Sequence, residues 1–330
     1  MTNDAGIIDV HTHLFPSSMV EILQKRTEPP RILENANGLK LLEFTPGVRV
    51  PVFPETLSLD VKLTNMKKGG IGYAVLSVAT ARLDLFSAAD AMAISQNVND
   101  ELIEMIKTHP DQIGAMALIP MQNPDFAAGE LERVSGLGLK GAILESNVAG
   151  RPLDDPEFRP VFESAAGVDA PLFIHPNHPV NSKQVDVYGM LPVVGFLFDT
   201  TLAALRLIFS GVFERHPSLK LFLGHTGSLI PYLAGRLDEF FDMDRLPSGT
   251  SDGAHPPSYY VGRLYTDTVC ASPLALRLAA ELFQPDRIMW GTDAPYFSID
   301  TAWKTLAGAD LPPELVTAIE RTNARSLFRL

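Results

Sequence analysis

Cysteine is nearly absent: Cys270 stands alone in a chain of 330 residues. An internal disulfide is therefore excluded, and the composition suits a reducing cytoplasm. Positive charge is also scarce, with 27 Lys and Arg against 39 Asp and Glu and a formal net charge of −12. Nucleic acid is thus not an expected partner, because phosphate binding demands concentrated Lys and Arg. A small anionic ligand needs only one or two arginines and stays open. No uninterrupted apolar run reaches membrane-spanning length, and no basic segment followed by an apolar one opens the chain, so neither membrane nor export is expected. The glycine-rich phosphate loop of a doubly wound nucleotide-binding sheet is missing as well. At its place, after the first apolar run, the sequence reads His-Thr-His.

What is present is a large potential core, with 46% hydrophobic and 20% charged residues, and an alternation of short apolar runs with longer amphipathic segments. Candidate strands are Ile7–Val10, Tyr73–Val78, Ile113–Leu118, Gly141–Leu144, Pro171–Ile174, Leu219–Leu223, Arg263–Thr266 and Ile288–Trp290. Helical patterns lie between most of them, among them Ala88–Thr108, Asp125–Ser135, Thr200–Glu214 and Pro273–Phe283, and a closing helical pair follows Ile299. Eight strands predict an α/β fold of the (β/α)8 TIM-barrel type, with any chemistry at the C-terminal ends of the strands. An open doubly wound sheet is the alternative. No linker or repeat divides the chain, so residues 1–330 read as one domain. Two insertions, 14–55 and 178–198, fall on the expected catalytic face, where long loops serve as lids or substrate walls.

The residues that close the candidate strands carry the chemistry. The first strand leads into His11 and His13, whose i, i+2 spacing places both imidazoles on one side of an extended chain. The fifth leads to His175, the sixth to His225 and the eighth to Asp293. A barrel would bring all five to one mouth. Three imidazoles and a carboxylate form a nitrogen and oxygen set that suits Zn²⁺, with Mn²⁺, Co²⁺ or Fe²⁺ as alternatives. The other histidines have plainer readings: His109 and His216 precede Pro at helix ends, and His255 lies in a Pro-rich loop.

Four motifs give these residues a family context. They are Ile8-Asp9-Val10-His11-Thr12-His13, Phe173-Ile174-His175-Pro176, Leu223-Gly224-His225-Thr226-Gly227 and Met289-Trp290-Gly291-Thr292-Asp293-Ala294-Pro295. Over essentially its whole length the chain resembles the amidohydrolase superfamily, in the branch that includes aminocarboxymuconate-semialdehyde decarboxylase and related non-oxidative decarboxylases. The resemblance implies one divalent metal ion held by His11, His13, His175 and Asp293, with His225 as the acid/base residue and Asp293 available for proton transfer. Other branches bridge two metals through a carboxylated lysine. Here the only lysine of the fourth strand, Lys140, stands at its start, which favours a single ion.

The resemblance also implies a small-molecule carboxylate substrate bound by Arg49, in the first insertion, and by Arg236 supplied from a neighbouring subunit, hence a homodimer. Arg pairs bidentately with carboxylates, which suits both to that role. Asp267, at the end of the seventh strand, is placed to orient a ligand or His225, with a structural cap as the equal alternative. Asn177 and His178 are expected on the pocket wall, and Phe196 and Phe198 either beside a planar substrate or in the core. The implied activity is metal-dependent, non-oxidative decarboxylation of a small unsaturated or hydroxyaromatic acid. Hydrolysis of a lactone, amide or ester, or hydration, is the alternative within the superfamily, and a non-catalytic metal-binding scaffold the rival outside it.

Overall fold

Seven short parallel strands and one irregular segment are arranged as the barrel that the alternation predicts. The computed structural model describes residues 6–79, 81–180, 182–242 and 255–330. Barrel strands 1 and 2 are Ile7–His13 and Ile71–Ser77, and strand 3 comes in two pieces, Ile113–Ala115 and Ala117–Leu118. Strands 4 to 7 are Ala142–Glu145, Leu172–His175, Leu221–Leu223 and Tyr265–Thr266. Each is hydrogen-bonded to its neighbours in chain order, all in parallel. The eighth segment never forms a regular ladder. It is held by bridges pairing Ile288 with Thr266 and Ala294 with Thr12. The backbone N–H of Val10 donates to Trp290 O at 3.1 Å and that of His13 to Ala294 O at 2.9 Å, which closes the barrel.

Strand 1 runs three residues further than the apolar pattern suggested, through His13. The polar histidines continue the ladder because Asp9, buried beneath them, fixes the segment. Its carboxylate accepts from the backbone N–H groups of His11 and Thr292, both at 3.1 Å, and from the Thr292 hydroxyl at 2.6 Å. The floor under the site is aromatic. Phe173 and Phe222, register partners on strands 5 and 6, stack at 4.3 Å, and Phe173 meets His11 edge-on at 4.9 Å. Both rings are fully buried; emptying either position costs about 3 to 5 kcal/mol. Gly224 and Gly291 leave room for His11: a Cβ at Gly291 would stand 2.9 Å from His11 Cβ, and one at Gly224 would stand 3.2 Å from its Cε1.

The insertions are more ordered than bare loops. Residues 14–55 hold a helix, Ser17–Lys25, and a three-stranded antiparallel sheet of Arg31–Glu34, Lys40–Thr45 and Val48–Pro51. Phe44 of that sheet packs against His178 and Phe196 of the second insertion, with ring centres 6.0 and 6.5 Å apart. The two insertions are thereby joined above the mouth. The second insertion runs through a helical turn, Leu191–Gly195, directly into the helix Phe196–Phe209. This stretch is long and apolar enough to cross a bilayer, but half of its most apolar part is buried against the barrel. His109 and His216 stand at helix C-caps, as their place before Pro suggested.

Candidate metal centre

The strand ends converge. His11, His13, His175 and Asp293 are all buried, and each offers one ligand atom within 4.8 Å of the others. His13 Nε2 lies 3.0 Å from Asp293 Oδ1, and His11 Nε2 lies 3.5 Å from the same oxygen. His225 stands at the rim, its side chain partly accessible, with Nε2 3.4 Å from Asp293 Oδ2. Two of the five hold unusual backbone. His225 and Asp293 both have φ of 57°, in the left-handed region that non-glycine residues seldom adopt. Such conformations persist only where the surroundings enforce them.

At His225 the carboxylate of Asp267 does that enforcing. Its Oδ2 accepts from His11 Nδ1 at 2.6 Å and from the His225 backbone N–H at 3.2 Å. Its Oδ1 accepts from the backbone N–H groups of Thr226 at 2.9 Å and Val269 at 3.0 Å. One carboxylate thus sets both the His11 tautomer and the turn that carries His225. With Nδ1–H given to Asp267, the His11 Nε2 lone pair faces the cluster. That atom is buried and has no hydrogen-bond partner, and the same holds for His175 Nδ1. His13 is fixed similarly, with Nδ1 2.9 Å from Ser77 Oγ.

The titration behaviour follows from burial and crowding. Burial holds His13 down to about 4. Burial, aided by the charges of His13, His11 and His225, keeps His175 well below the ordinary histidine value. For His11 the Asp293 and Asp267 carboxylates outweigh burial and raise it. Burial would raise Asp293, but the surrounding imidazoles hold it well below the usual carboxylate range. Imidazoles grouped around an ionised carboxylate, with two buried nitrogens lacking partners, form a donor set that a divalent cation satisfies. The residues fit a metal ion.

A family model described as amidohydrolase matches residues 8–330. The chain belongs to the amidohydrolase family. The gamma-resorcylate decarboxylase of Rhizobium radiobacter is 33% identical over 298 residues, covering 82% of this chain and 87% of that one. The 2-amino-3-carboxymuconate-6-semialdehyde decarboxylase of Dictyostelium discoideum is 28% identical over 296 residues, covering 88% and 81%. Among solved structures, the 5-carboxyvanillate decarboxylase of Sphingomonas paucimobilis superposes with a TM-score of 0.86 at 25% identity, over 99% of this chain and all of that one. This amidohydrolase is thus an enzyme whose named relatives are carboxy-lyases, and the barrel is theirs.

The arginines expected at the substrate form no ion pair with the five-residue cluster among the described residues. Arg49 lies on the small sheet and pairs with Glu43 at 3.0 Å, while Arg31 takes the other Glu43 oxygen at 2.7 Å. Half of the Arg49 side chain remains exposed. Arg236, on the helix Ile230–Asp242, is exposed and stacks 4.8 Å from the Phe240 ring centre. Neither Asp238 nor Glu239 pairs with it among the described residues; Asp238 caps the Ser258 N–H instead. Phe196 is partly buried against Phe44, whereas Phe198 is 53% exposed and belongs neither to the core nor to a substrate wall in a single chain. Asn177 is buried and donates to Glu145 and to Asn147 O, which ties the fifth strand end to the fourth. Lys140 precedes strand 4, away from the mouth.

Several participants gave little sequence signal. Ser77 closes strand 2 and falls under the same strand-end rule as the histidines, but a serine there has many plainer explanations. Lys62 is almost fully buried on the helix Leu59–Lys68. Its Nζ donates to Thr12 Oγ1 at 2.7 Å and pairs with Glu55 at 2.8 Å. It thereby braces the residue between the two strand-1 histidines from outside the barrel, and an amphipathic helix pattern gives no hint of it.

Proposed function

We propose that this amidohydrolase removes CO₂ non-oxidatively from a small hydroxyaromatic acid, using one divalent metal ion held by His11, His13, His175 and Asp293. The observation that carries the reading is the buried cluster of unpartnered imidazole nitrogens around Asp293, with His225 beside it, in a chain whose named relatives are decarboxylases. When bound, the ion supplies a Lewis acid for the oxygens of the substrate; Zn²⁺ is the first candidate and Mn²⁺ the alternative.

The remaining chemistry falls to the side chains. Losing CO₂ from a ring carbon leaves an electron pair there, so that carbon must gain a proton as the bond to the carboxylate carbon breaks. His225 is the acid/base residue of this step. Its Nε2 faces Asp293 Oδ2, so the two groups can share a proton at the rim of the mouth. Its Nδ1 is buried without a partner, which leaves Nε2 as the working nitrogen. Phe173 and the closed barrel floor exclude water from below. Arg236 of a neighbouring copy and Arg49 of the small sheet supply cationic charge for the substrate carboxylate.

An exposed apolar stripe supports a homodimer. Val194, Phe198 and Leu202, spaced four apart along the helix that contains Phe196–Phe209, are all exposed, as is Tyr232 on the Arg236 helix. A monomer seldom leaves such a stripe in water. The reading takes a small-molecule partner and a reducing compartment such as the cytoplasm, which the single cysteine suits.

The test is CO₂ release from resorcylate-type, salicylate-type and carboxyvanillate-type acids by protein reconstituted with Zn²⁺ or Mn²⁺. Metal-dependent release that disappears in His225→Ala, with metal content retained, is the expected result. Turnover of lactones or amides without CO₂ from any acid would overturn it.

A further inference from the structure

A second polar group lies at the mouth, over strands 2, 4 and 5, and its centre is Arg82. This arginine is only 6% exposed. Its Nε and Nη2 donate to the Asp84 carboxylate at 2.8 and 3.0 Å, while Nη1 is buried with no hydrogen-bond partner. The backbone is held in the left-handed region, with φ of 47°, and the Arg82 N–H donates to Glu145 Oε1 at 2.9 Å. The other Glu145 oxygen accepts from Asn177 Nδ2 at 3.1 Å. Glu145 is the register partner of His175, so this network begins one strand away from a candidate metal ligand. On its outer side is His178, which burial, and behind it the nearby Arg82 charge, hold below its ordinary value. His178 in turn touches Phe44, at the seam where the two insertions meet.

A buried guanidinium N–H without an acceptor is unfavourable by a margin that native structures rarely leave standing. The surroundings say what kind of acceptor is missing. Asp84 already neutralises Arg82 by accepting from Nε and Nη2, and the Glu145 carboxyl adjoins the same group. A second full negative charge would meet no net cation there. An uncharged oxygen meets a strong donor.

We propose that Arg82 Nη1 is a specificity determinant that takes an uncharged ring oxygen, a hydroxyl, methoxy or carbonyl group, on the part of the substrate remote from the reacting carboxylate. The proposal rests on the decarboxylase reading for its substrate class, and its geometry is independent of that reading. It assigns the two ends of the ligand differently: the carboxylate end to the metal cluster, and the far ring edge to the junction of strands 2, 4 and 5.

The experiment compares a salicylate-type acid bearing a ring oxygen meta or para to the carboxylate with the matched acid lacking it. Wild type, Arg82→Met and Arg82→Lys are each loaded with Zn²⁺ or Mn²⁺. Both kcat/KM and calorimetric affinity are measured. A hydrogen bond to a charged donor is lost in Arg82→Met, so the preference for the oxygenated acid falls by about 10- to 100-fold. Arg82→Lys restores part of it, and metal content stays at the wild-type level. Equal losses for the two acids, or an unchanged preference in folded Arg82→Met, would show Arg82 to be structural or satisfied by a bound water, and would overturn the proposal. Should no acid release CO₂, the decarboxylase reading fails, and the ratio of the two calorimetric affinities still decides the role of Arg82.

Discussion

Replacing Asp267 by Asn separates positioning from ligation. The wild-type carboxylate accepts four hydrogen bonds, from His11 Nδ1, His225 N, Thr226 N and Val269 N. An Asn can keep its oxygen toward Thr226 and Val269. Its amide nitrogen then faces His11 Nδ1 and the His225 N–H, where two acceptor contacts become donor contacts. His11 regains a hydrogen bond only by accepting at Nδ1, which moves its proton to Nε2, the nitrogen aimed at the cluster. The variant must therefore either leave His11 Nδ1–H facing a donor or protonate the candidate ligand atom. Loss of such an outer partner weakens metal affinity by 10- to 100-fold in comparable sites, or about 1.4 to 2.7 kcal/mol. A separate destabilisation of about 1 to 3 kcal/mol falls on the metal-free protein, from the His225 N–H left unpaired in the turn. Chelator competition for Zn²⁺ reads the first quantity, and urea unfolding of the metal-free protein reads the second. Metal affinity within threefold of wild type would refute the assignment of His11 as a ligand held by Asp267, even if the variant were less stable.

Other expected outcomes follow from the same contacts. Lys62→Met leaves Glu55 without its partner and Thr12 without its donor, and lowers urea-unfolding stability by about 3 kcal/mol; a change under 1 kcal/mol would mean that the pair is not a brace. His225→Gln lowers kcat by about 10² to 10⁴ at unchanged metal content, whereas lost metal would make His225 a ligand. Glu145 titrates near 8 in the folded chain against 4.5 in an unfolded one. The folded state therefore binds the extra proton between those values, and its stability declines as pH rises through that window. Glu145→Gln should flatten this decline in unfolding measured from pH 5 to 8, and an identical slope in the variant would refute the assignment. Phe198→Glu should convert a sedimenting dimer to monomer, and an intact dimer would move the interface elsewhere.

The site was legible because the barrel turns a local rule into a global one. Any residue that closes a parallel strand arrives at the same mouth, so His11, His13, His175, His225 and Asp293 could be grouped with no knowledge of how the strands pack. Asp267 followed from the same rule, and its carboxylate holds both the His11 ring and the turn at His225. The rule fails where side chains approach sideways. Lys62 reaches Thr12 from a helix, Arg82 enters from the loop after strand 2, and neither position differs in sequence pattern from an ordinary surface charge. The first insertion hid its sheet because its strands are short and interrupted by Pro and Gly, and the pairing of Arg31, Glu43 and Arg49 across them depends on register. Strand 8 was read from an apolar run, yet only bridges form there, because Asp293 leaves extended geometry to face the histidines.

The fourth strand supplies an argument for a single ion that its sequence only began. Lys140 stands before the strand, so no lysine reaches the mouth from it. The residue that does reach the mouth there is Glu145, in register with His175. A carboxylate at that place could bridge two metals, but both Glu145 oxygens are occupied, one by the Arg82 N–H and the other by Asn177 Nδ2. Burial and the facing Asp84 further favour its neutral acid form, which is a poor ligand. A second ion would have to break both hydrogen bonds, ionise Glu145 beside Asp84, and displace Asn177 from the strand end it secures. We infer that the strand-4 carboxyl is committed to the polar group around Arg82, so that the proposed ligand set on strands 1, 5 and 8 serves a single ion.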